Sequence, residues 1–435
     1  MMASGSLRHL QNSYQSLIKH QDQLATGKKI TRASQDPVIA MNGMRYRTQV
    51  AETDQFKRNL SEVYNWMDTS DATLDQGTQA LHRIRELTVQ ASNDSYDAGQ
   101  RANIGKEVDQ LFQQLLSIGN TRNNNKYIFN GTNTTNAPVD EARMNLGITQ
   151  IADDADIDAG DVDLIYRGAT YHVIDSADLE AMNDLPEQVR QQLHRDGAID
   201  VADADAGDFT VTGVDGDFQL FQNTASNRSD QVIAVNQDPD TPDNERLGYY
   251  SLSRNANGDL VDENNERVSS TADADINDVK RVRENQAIIS LKDAVSTNPE
   301  DVEIEILKGV KLPVNVDPKN VFTNELFGDI QALKQALEDP STSAQDLTEM
   351  LDVVDYHINN FVDERADLGA RVNRVEMVDQ RVQQQQVIAQ RIMSDNEDAD
   401  MERVITEMLS QENVHRAALS ATGRIIQPTL MDFLR

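Results

Sequence analysis

Two acidic segments in the middle of the chain have the residue types that bind calcium. Residues 154–160 and 203–208 are rich in aspartate, which is separated by alanine, glycine or, at position 157, isoleucine. An EF-hand loop places Gly at its sixth position and Glu at its twelfth. Counted from Asp154, the glycine falls at the seventh position, and Ile165 stands at the twelfth. We therefore expect solvated acidic turns, and a secreted calcium-dependent adhesin with a helical stalk is kept as an alternative.

The chain carries none of the short motifs that mark common catalytic and cofactor sites. Its seven histidines form no H-E-x-x-H pattern, and there is no G-x-S-x-G, Walker loop or G-x-G-x-x-G after a predicted strand. The absence of cysteine excludes disulfides, thiolate metal sites and thiol nucleophiles. We therefore predict a protein that is not an enzyme and needs no cofactor or metal. An enzyme carried by the middle of the chain is the third alternative.

The charge balance excludes two classes of partner. Asp and Glu number 73 against 40 Lys and Arg, which gives a net charge of −33. Such a charge repels nucleic-acid phosphates and anionic membranes, so we expect neither as a partner. No apolar run approaches the ~20 residues that cross a bilayer. The first residues show no basic segment followed by an apolar stretch, so no cleavable signal peptide is predicted.

The composition favours a rod of helices over a single large globule. Aromatic residues make up only 5% of the chain, with one tryptophan, Trp66. A helix in a rod buries only a stripe along one side, so it needs fewer large apolar residues. The predicted fold class is mainly α, an elongated helical bundle or coiled coil built from both chain ends, with an inserted α+β domain.

Both chain ends carry apolar residues at alternating steps of three and four, the spacing of a coiled-coil seam. Gly27 is predicted to end the first helix, and Asp36 with Pro37 to begin the next. Each outermost helix is short for one that must be stable alone. The two helices can pair only with each other or with another molecule, and two helices alone bury little. We therefore predict burial against neighbouring subunits, and keep folding back onto the bundle as the alternative. The predicted assembly residues are Leu7, Leu10, Tyr14, Leu17, Leu24, Met401, Met408, Leu419, Ile426, Leu430 and Phe433.

Longer stripes with the same spacing lie further inside the chain. One runs from Leu60 to Ile84, another from Ile104 to Ile118, and a third from Leu347 to Val382. Such stripes usually form the internal core of a bundle. The polar segment 394–398 is predicted to interrupt the last of them before the final helix begins. The sequence thus predicts assembly helices over 1–35 with 396–435, and a helical bundle over 36–136 with 330–395.

The middle, residues 137–329, is predicted to be the inserted α+β domain. Alternating apolar residues predict a hairpin over 302–306 and 310–314, and another over 164–166 and 171–174. Short strands over 209–211 and 218–220 flank a turn rich in Asp and Gly. Helices are expected over 178–195 and 276–295.

Several motifs, taken together, resemble the bacterial flagellin superfamily, and most closely its hook–filament junction branch, hook-associated protein 3. Near the N-terminus they are L-Q-N-S-Y at 10–14, Q-L-A-T-G-K-K-I at 23–30 and S-Q-D-P-V at 34–38. The segment Y-I-F-N-G-T at 127–132 is similar to the family element that closes the N-terminal helical region. L-G-A-R-V-N-R at 368–374 and L-M-D-F-L at 430–434 resemble C-terminal elements of the family. The resemblance covers about 1–135 and 340–435.

The resemblance implies a structural adaptor in the flagellar axis. It implies four partners: flagellin on the filament side, hook-associated protein 1 on the hook side, further copies of the chain in a ring or collar, and a flagellar export chaperone. It also implies an extracellular location reached by type III export without a cleavable signal peptide. Flagellin itself, the filament subunit, is the alternative within the superfamily.

Overall fold

The computed structural model describes residues 2–93, 95–147, 159–238, 240–242, 244–255, 257–262, 264–277, 279–296 and 298–431. Its contacts divide the chain into two compact units. The terminal unit contains Met1–Val63, Ile304–Leu312 and Asn373–Arg435, and the central unit contains Tyr64–Glu303 and Pro313–Val372. The division into assembly helices, helical bundle and inserted domain that the sequence suggests remains a prediction.

Long helices dominate both ends of the sequence, and the fold class is confirmed as mainly α with a β-containing middle. The helices are α1 (Met2–Thr26), α2 (Pro37–Ala91), α3 (Ala98–Gly119), α4 (Leu179–Asn183), α5 (Glu187–Arg195), α6 (Pro318–Val321), α7 (Asn324–Glu338), α8 (Ala344–Glu397) and α9 (Met401–Met431). None of the described helices is long and apolar enough to cross a membrane.

The predicted helix boundaries near the N-terminus are confirmed. Helix α1 ends at Thr26, and Gly27 follows with φ +67°, a conformation that glycine adopts without the steric cost of a Cβ. Helix α2 begins at Pro37, and the carboxylate of Asp36 accepts hydrogen bonds from the backbone N–H groups of Val38 and Ile39. The side chain of Asp36 thereby satisfies two amides that the first turn leaves free.

The predicted helix break over 394–398 is wrong for most of its length. Helix α8 continues to Glu397, and the chain leaves the helix only at Asp398. Polar residues do not end a helix when their side chains have partners. Here the side chain of Asn396 donates to the carbonyl of Ile39, and Glu397 is held by two basic side chains.

The predicted stripes form the core of the helices in the central unit. Met67, Leu74, Leu81 and Ile84 of α2 are fully buried, and so are Val108 of α3 and Phe361 of α8. Phe322 packs against three other rings, those of Phe129, Phe327 and Phe361. Gly77 permits this close packing, because a methyl group there would lie 2.5 Å from Phe361 Cε1.

The rest of the central unit is organised around a seven-stranded antiparallel sheet of order β10-β9-β8-β7-β4-β3-β11. Its strands are β3 (Val162–Tyr166), β4 (Ala169–Val173), β7 (Phe218–Asn223), β8 (Val232–Asn236), β9 (Leu247–Tyr250), β10 (Lys280–Val282) and β11 (Ile288–Leu291). Helix α7 packs closely on this sheet at Gly328, where a methyl group would lie 2.6 Å from Ile165 Cδ1.

Three two-stranded sheets complete the fold of the described residues. They pair β1 (Arg122–Asn123) with β2 (Lys126–Tyr127), β5 (Ile199–Asp203) with β6 (Asp208–Val214), and β12 (Glu303–Leu307) with β13 (Val310–Pro313). The last pair is the predicted hairpin. Its residues 304–312 belong to the terminal unit, where Asn59 of α2 donates to the carbonyl of Glu305 at 2.7 Å.

The hairpin predicted over 164–174 is confirmed as β3 and β4, and Arg167 and Gly168 at its turn both have positive φ. The two strands predicted around 209–220 exist, but they do not pair with each other. Strand β6 pairs with β5, whereas β7 pairs with β4 and β8. The turn rich in Asp and Gly between β6 and β7 therefore connects two different sheets.

Two predicted helices of the middle segment need correction. The helix over 178–195 is two helices, α4 and α5, separated at Asp184-Leu185-Pro186. The helix over 276–295 is wrong, because this segment forms β10 and β11 with a short 3-10 turn between them. The apolar run Ala287-Ile288-Ile289 is fully enclosed, and a short buried run does not distinguish a strand from a helix by its periodicity.

Candidate assembly interface

The two outermost helices pack against each other within the terminal unit. The ring of Tyr14 on α1 lies 6.1 Å from the ring of His415 on α9, and His20 Nδ1 lies 3.8 Å from Glu407 Oε2. The later residue on α1, His20, meets the earlier residue on α9, Glu407, so the two helices are antiparallel. Ser13 and Val404 are buried in the seam between them.

Four of the predicted assembly residues belong to this intramolecular seam. Leu10, Leu17 and Leu24 share the face of α1 that carries buried Ser13, and all three are half-buried. Met408 is likewise half-buried, four residues after buried Val404 on α9. Each outer helix thus covers part of the stripe of the other, which the sequence left open as one of two ways to bury it.

Three other predicted residues are largely exposed in the paired helices. They are Tyr14, Met401 and Leu419. The structure adds four exposed apolar residues that the prediction missed, Ile18 on α1 and Ile405, Leu409 and Val414 on α9. We call these seven residues the flank; their exposed fractions run from 39% for Ile18 to 55% for Tyr14.

Most of the flank forms a second stripe beside the seam. Ile18 follows Tyr14 by four residues, and Met401, Ile405 and Leu409 also follow at steps of four. The sequence signal was available, because these residues form a second i, i+4 series next to the heptad series. The second series was missed because the prediction used one heptad series on each helix, and one such series covers only the contact with a single partner helix.

The remaining predicted residues have no described side-chain environment. Leu7 lies in α1, and Ile426 and Leu430 lie in α9. Their side chains are outside the described part of the chain, and Phe433 is wholly outside the described residues. Their role in assembly stays a prediction.

A joint connects the outer helix pair to the rest of the terminal unit. The chain segments after α1 and after α8 run side by side there. The N–H of Lys29 donates to the carbonyl of Glu397 at 2.7 Å, and the N–H of Ala399 donates to the carbonyl of Gly27 at 2.8 Å. These two backbone bonds tie the N-terminal and C-terminal connections to each other, so the two outer helices extend from the joint side by side.

A buried carboxylate holds this joint. The side chain of Glu397 is only 7% exposed, and Arg47 donates to it through both Nε (2.7 Å) and Nη2 (2.8 Å). Lys28 Nζ lies 3.4 Å from the same carboxylate and 2.7 Å from that of Asp398. The hydrogen bond from Arg47 is the largest effect that holds the pKa of Glu397 below its usual value, so the group stays ionised.

Gly43 makes room for that carboxylate on α2. A methyl group on Gly43 would lie 2.7 Å from Glu397 Oε1. The bidentate Arg47 pair fixes the carboxylate in place, so it cannot easily move aside. The joint therefore depends on residues from α2, α8 and the loop after α1.

The acidic segments weighed for calcium do not assemble a metal site in the described residues. No group of three or more His, Cys, Asp or Glu side chains lies close enough to hold a metal ion in the described part of the chain. Residues 154–158 lie outside the described residues. In the second segment, Asp203 and Asp208 accept hydrogen bonds from the N–H groups of Ala206 and Thr210, which shape the turn between β5 and β6.

Comparison with protein families gives two matches, one at each end of the chain. The sequence model of the bacterial flagellin N-terminal helical region matches residues 1–134. The model of the bacterial flagellin C-terminal helical region matches residues 351–434. Together they span about half of the chain, and they contain α1, α2, α3, α9 and most of α8.

Curated relatives match over the same kind of segment. The chain is 29% identical to flagellar hook-associated protein 3 of Escherichia coli strain K12 over 144 residues, 33% of this chain and 45% of that protein. It is 28% identical to the protein of the same name from Salmonella typhimurium over 143 residues, again 33% of this chain and 45% of the relative. The chain thus spans about half the length of the curated relatives it matches.

Solved structures include a flagellar hook associated protein-3 from Legionella pneumophila. It is 15% identical to this chain, and the match covers 81% of this chain and 98% of the solved chain, with a TM-score of 0.38. The family matches at both ends rest on sequence, and they coincide with the helices that form the joint and the flank. The chain belongs to the bacterial flagellin superfamily.

Proposed function

We propose that this protein is the structural adaptor between the hook and the flagellin filament of a bacterial flagellum, a hook-associated protein 3. The observation that carries the proposal is the apolar flank on the paired outer helices. A soluble monomer gains nothing from seven exposed apolar side chains on two helices, whereas a subunit of an axial assembly can bury them. The names of the two curated relatives above favour the junction over other places in the flagellum.

The mechanism is packing and involves no chemical reaction. In the monomer, α1 and α9 cover each other along the seam and leave the flank to solvent. On assembly, the flank is buried against the outer helices of neighbouring subunits, and burial of apolar surface contributes about 25 cal/mol per Å². The joint at Glu397 keeps the two helices together, so each subunit presents the flank residues of both helices at the same end of the terminal unit.

The proposed partners follow from this position. They are hook-associated protein 1 on the hook side, flagellin on the filament side, and further copies of the chain in a ring or collar. The chain would reach its place outside the cell by flagellar type III export, with an export chaperone bound beforehand. We propose no enzymatic activity, because a flank of apolar side chains provides adhesion and no reacting groups.

The second candidate is flagellin itself, because both matching family models describe flagellin regions. Electron microscopy distinguishes the two. Purified protein is incubated in a precipitant that promotes flagellin growth, with and without hook–basal-body particles that carry hook-associated protein 1. The adaptor adds a short collar to hooks and then permits growth of added flagellin. Long filaments from the protein alone would establish the filament subunit and overturn the junction assignment.

A further inference from the structure

The start of α2 carries a local charge opposite to that of the chain. Residues 28–47 contain five basic residues and one acidic residue, Asp36, in a protein with a net charge of −33. Three of the five serve the joint: Lys28 and Arg47 bind Glu397, and Lys29 donates to the carbonyl of Asp395. Two of them, Arg32 and Arg45, are not used there.

Arg32 and Arg45 are exposed and have no acidic partner within the described residues. No Asp or Glu oxygen in the described part of the chain lies within 4.0 Å of either guanidinium group. The guanidinium of Arg45 lies over the ring of Tyr46, with its carbon 5.2 Å from the ring centre. Both are therefore available to a partner from outside the chain.

Large apolar side chains lie beside these two arginines. Val38, Met41 and Met44 are 62–63% exposed, among the most exposed large apolar residues described. Their spacing of three residues places them along one side of α2, and Arg45 follows Met41 by four. We call Arg32, Val38, Met41, Met44 and Arg45 the basic face. A mixed face of flexible methionines and unpaired arginines is typical of a protein-binding surface.

Helix α8 carries a face of the opposite charge, in the central unit. Asp352, Tyr356, Asp363 and Asp367 follow one another at steps of four, seven and four, so they lie along one side of the helix. All four are exposed, and Tyr356 shows 51% of its surface. No Lys, Arg or His nitrogen of the described residues lies within 4.0 Å of these three carboxylates. We call these four residues the acidic face.

Acidic residues are abundant in this chain, so charge alone does not select this face. Other acidic residues nearby already have basic partners: Asp355 on α8 pairs with Arg85, and Asp71 on α2 pairs with Arg365. The acidic face combines three unpaired carboxylates with an exposed aromatic ring, and Val362 is exposed at its edge. Apolar contact between Tyr356 and the methionines, ringed by ion pairs, matches the apolar centre and polar rim of protein interfaces.

We propose that the basic face of one copy of the chain binds the acidic face of a second copy. The two faces are different surfaces, so the contact is heterologous, and repetition of it generates a ring or a helix instead of a closed dimer. This inference rests on the proposed assembly for its purpose, because a contact this small is transient between two free subunits and becomes lasting when subunits are repeated side by side. The charged residues at the rim of this contact mainly orient the two copies and speed their association.

Disulfide trapping tests the contact in solution, independently of hooks. The natural chain has no cysteine, so any disulfide reports only the two introduced residues. Thr48→Cys is exposed on the basic side of α2, and Asn359→Cys is exposed on the acidic side of α8. The control for Thr48→Cys is Ser61→Cys, exposed on the opposite side of α2. Each is mixed with Asn359→Cys protein under a mild oxidant, at low and at high salt.

The expected result is that the Thr48→Cys mixture forms heterodimer at least about tenfold faster than the Ser61→Cys mixture, with the difference reduced at 0.5 M salt. Arg45→Glu in the Thr48→Cys protein should slow trapping at least threefold. Asp363→Arg in its partner should restore the rate. Equal rates for the two mixtures, or a preference of Thr48→Cys protein for its own kind, would overturn the inference.

Failure of this test leaves the proposed function separately measurable. The collar on hooks is scored by microscopy with unmodified protein, whereas the trapping experiment needs no hook. Loss of trapping with a normal collar would mean that subunits meet through other surfaces. Loss of the collar with normal trapping would mean that the two faces bind but that the chain is not the junction adaptor.

Discussion

The outer helices of the terminal unit and the helices of the central unit carry the same apolar spacing but bury it to different extents. In the central unit, Leu74 of α2 and Phe361 of α8 have no exposed surface. On α1 and α9, Tyr14 and Leu419 follow the same steps of three and four, and each exposes half of its surface or more. The spacing therefore identifies a face to be covered, and the number of helices within reach decides how much the chain covers itself.

This difference separates residues that stabilise the monomer from residues that serve its assembly. A fully buried ring contributes to folding in every copy, whether or not it meets a neighbour. A half-exposed apolar residue contributes little to folding and contributes its burial only on association. Substitutions in the two regions should therefore affect two different measurements.

The largest effect on folding is expected for Phe361→Ala in the central unit. Removal of a fully buried ring should lower the free energy of unfolding by about 3 to 5 kcal/mol. The single tryptophan, Trp66, lies buried in the same unit, so its fluorescence during urea unfolding reports this region. Val362→Ala is the matched control, because the next side chain is exposed and its loss should cost less than about 0.5 kcal/mol. A similar cost for both would show that Phe361 is not a core residue.

The largest effect on assembly is expected for Leu419→Asp in the flank. Leu419 is half exposed, so the monomer should keep its helix content and its unfolding curve. Burial of an unpaired carboxylate against a neighbour should cost about 3 kcal/mol or more, which lowers incorporation into hooks by at least ~100-fold. Ser420→Asp introduces the same charge one residue further, at an exposed position whose hydroxyl bonds to the carbonyl of Arg416 in the same helix, and should incorporate normally because adjacent residues of a helix face different directions. Normal incorporation of Leu419→Asp would remove the flank from the assembly surface.

The sequence was sufficient for the helical parts because their stripes are long. A series such as Leu60 to Ile84 repeats its spacing over seven turns, so chance agreement is small and the buried face is unambiguous. Gly27 and Asp36 with Pro37 were equally clear, because a helix end has its own residue requirements. The same information could not say whether Leu10 and Leu419 are covered from within the chain or from outside it.

The sequence was insufficient where burial depends on distant parts of the chain. The segment 288–291 pairs with β3, and its Ile288 packs with Ala332 of α7, but neither partner can be inferred from the three apolar residues of the segment itself. The joint shows the same limit. Glu397 is one of 73 acidic residues, and only the fold brings Arg47 to it across 350 positions and Lys28 across still more.

Substitutions at the joint should lower folding stability less than Phe361→Ala does, because the joint contains a buried charge instead of a buried ring. Arg47→Met leaves the enclosed carboxylate of Glu397 with Lys28 alone, whereas Glu397→Gln leaves basic groups that are partly exposed. Because Arg47 is itself well exposed, we discount for solvent screening and expect a loss of about 2 kcal/mol for Arg47→Met and about 1 kcal/mol for Glu397→Gln. Circular dichroism at 222 nm during urea unfolding measures both. The reverse order would mean that the carboxylate is not effectively buried.

The smallest effect is the pH dependence of the joint, and its sign follows from the lowered pKa of Glu397. A carboxylate whose pKa is lower in the folded state contributes stability above its unfolded pKa, near 4.3, and loses that contribution as the pH falls through the folded value. The stability difference between the natural chain and Glu397→Gln should therefore be constant from pH 7 to about pH 5. It should shrink below about pH 4, because both chains then carry a neutral group at position 397. The comparison must be made between these two chains, since many other carboxylates titrate in the same range. A difference that stays constant down to pH 3 would show that the charge of Glu397 contributes nothing and that only the shape of its side chain holds the joint.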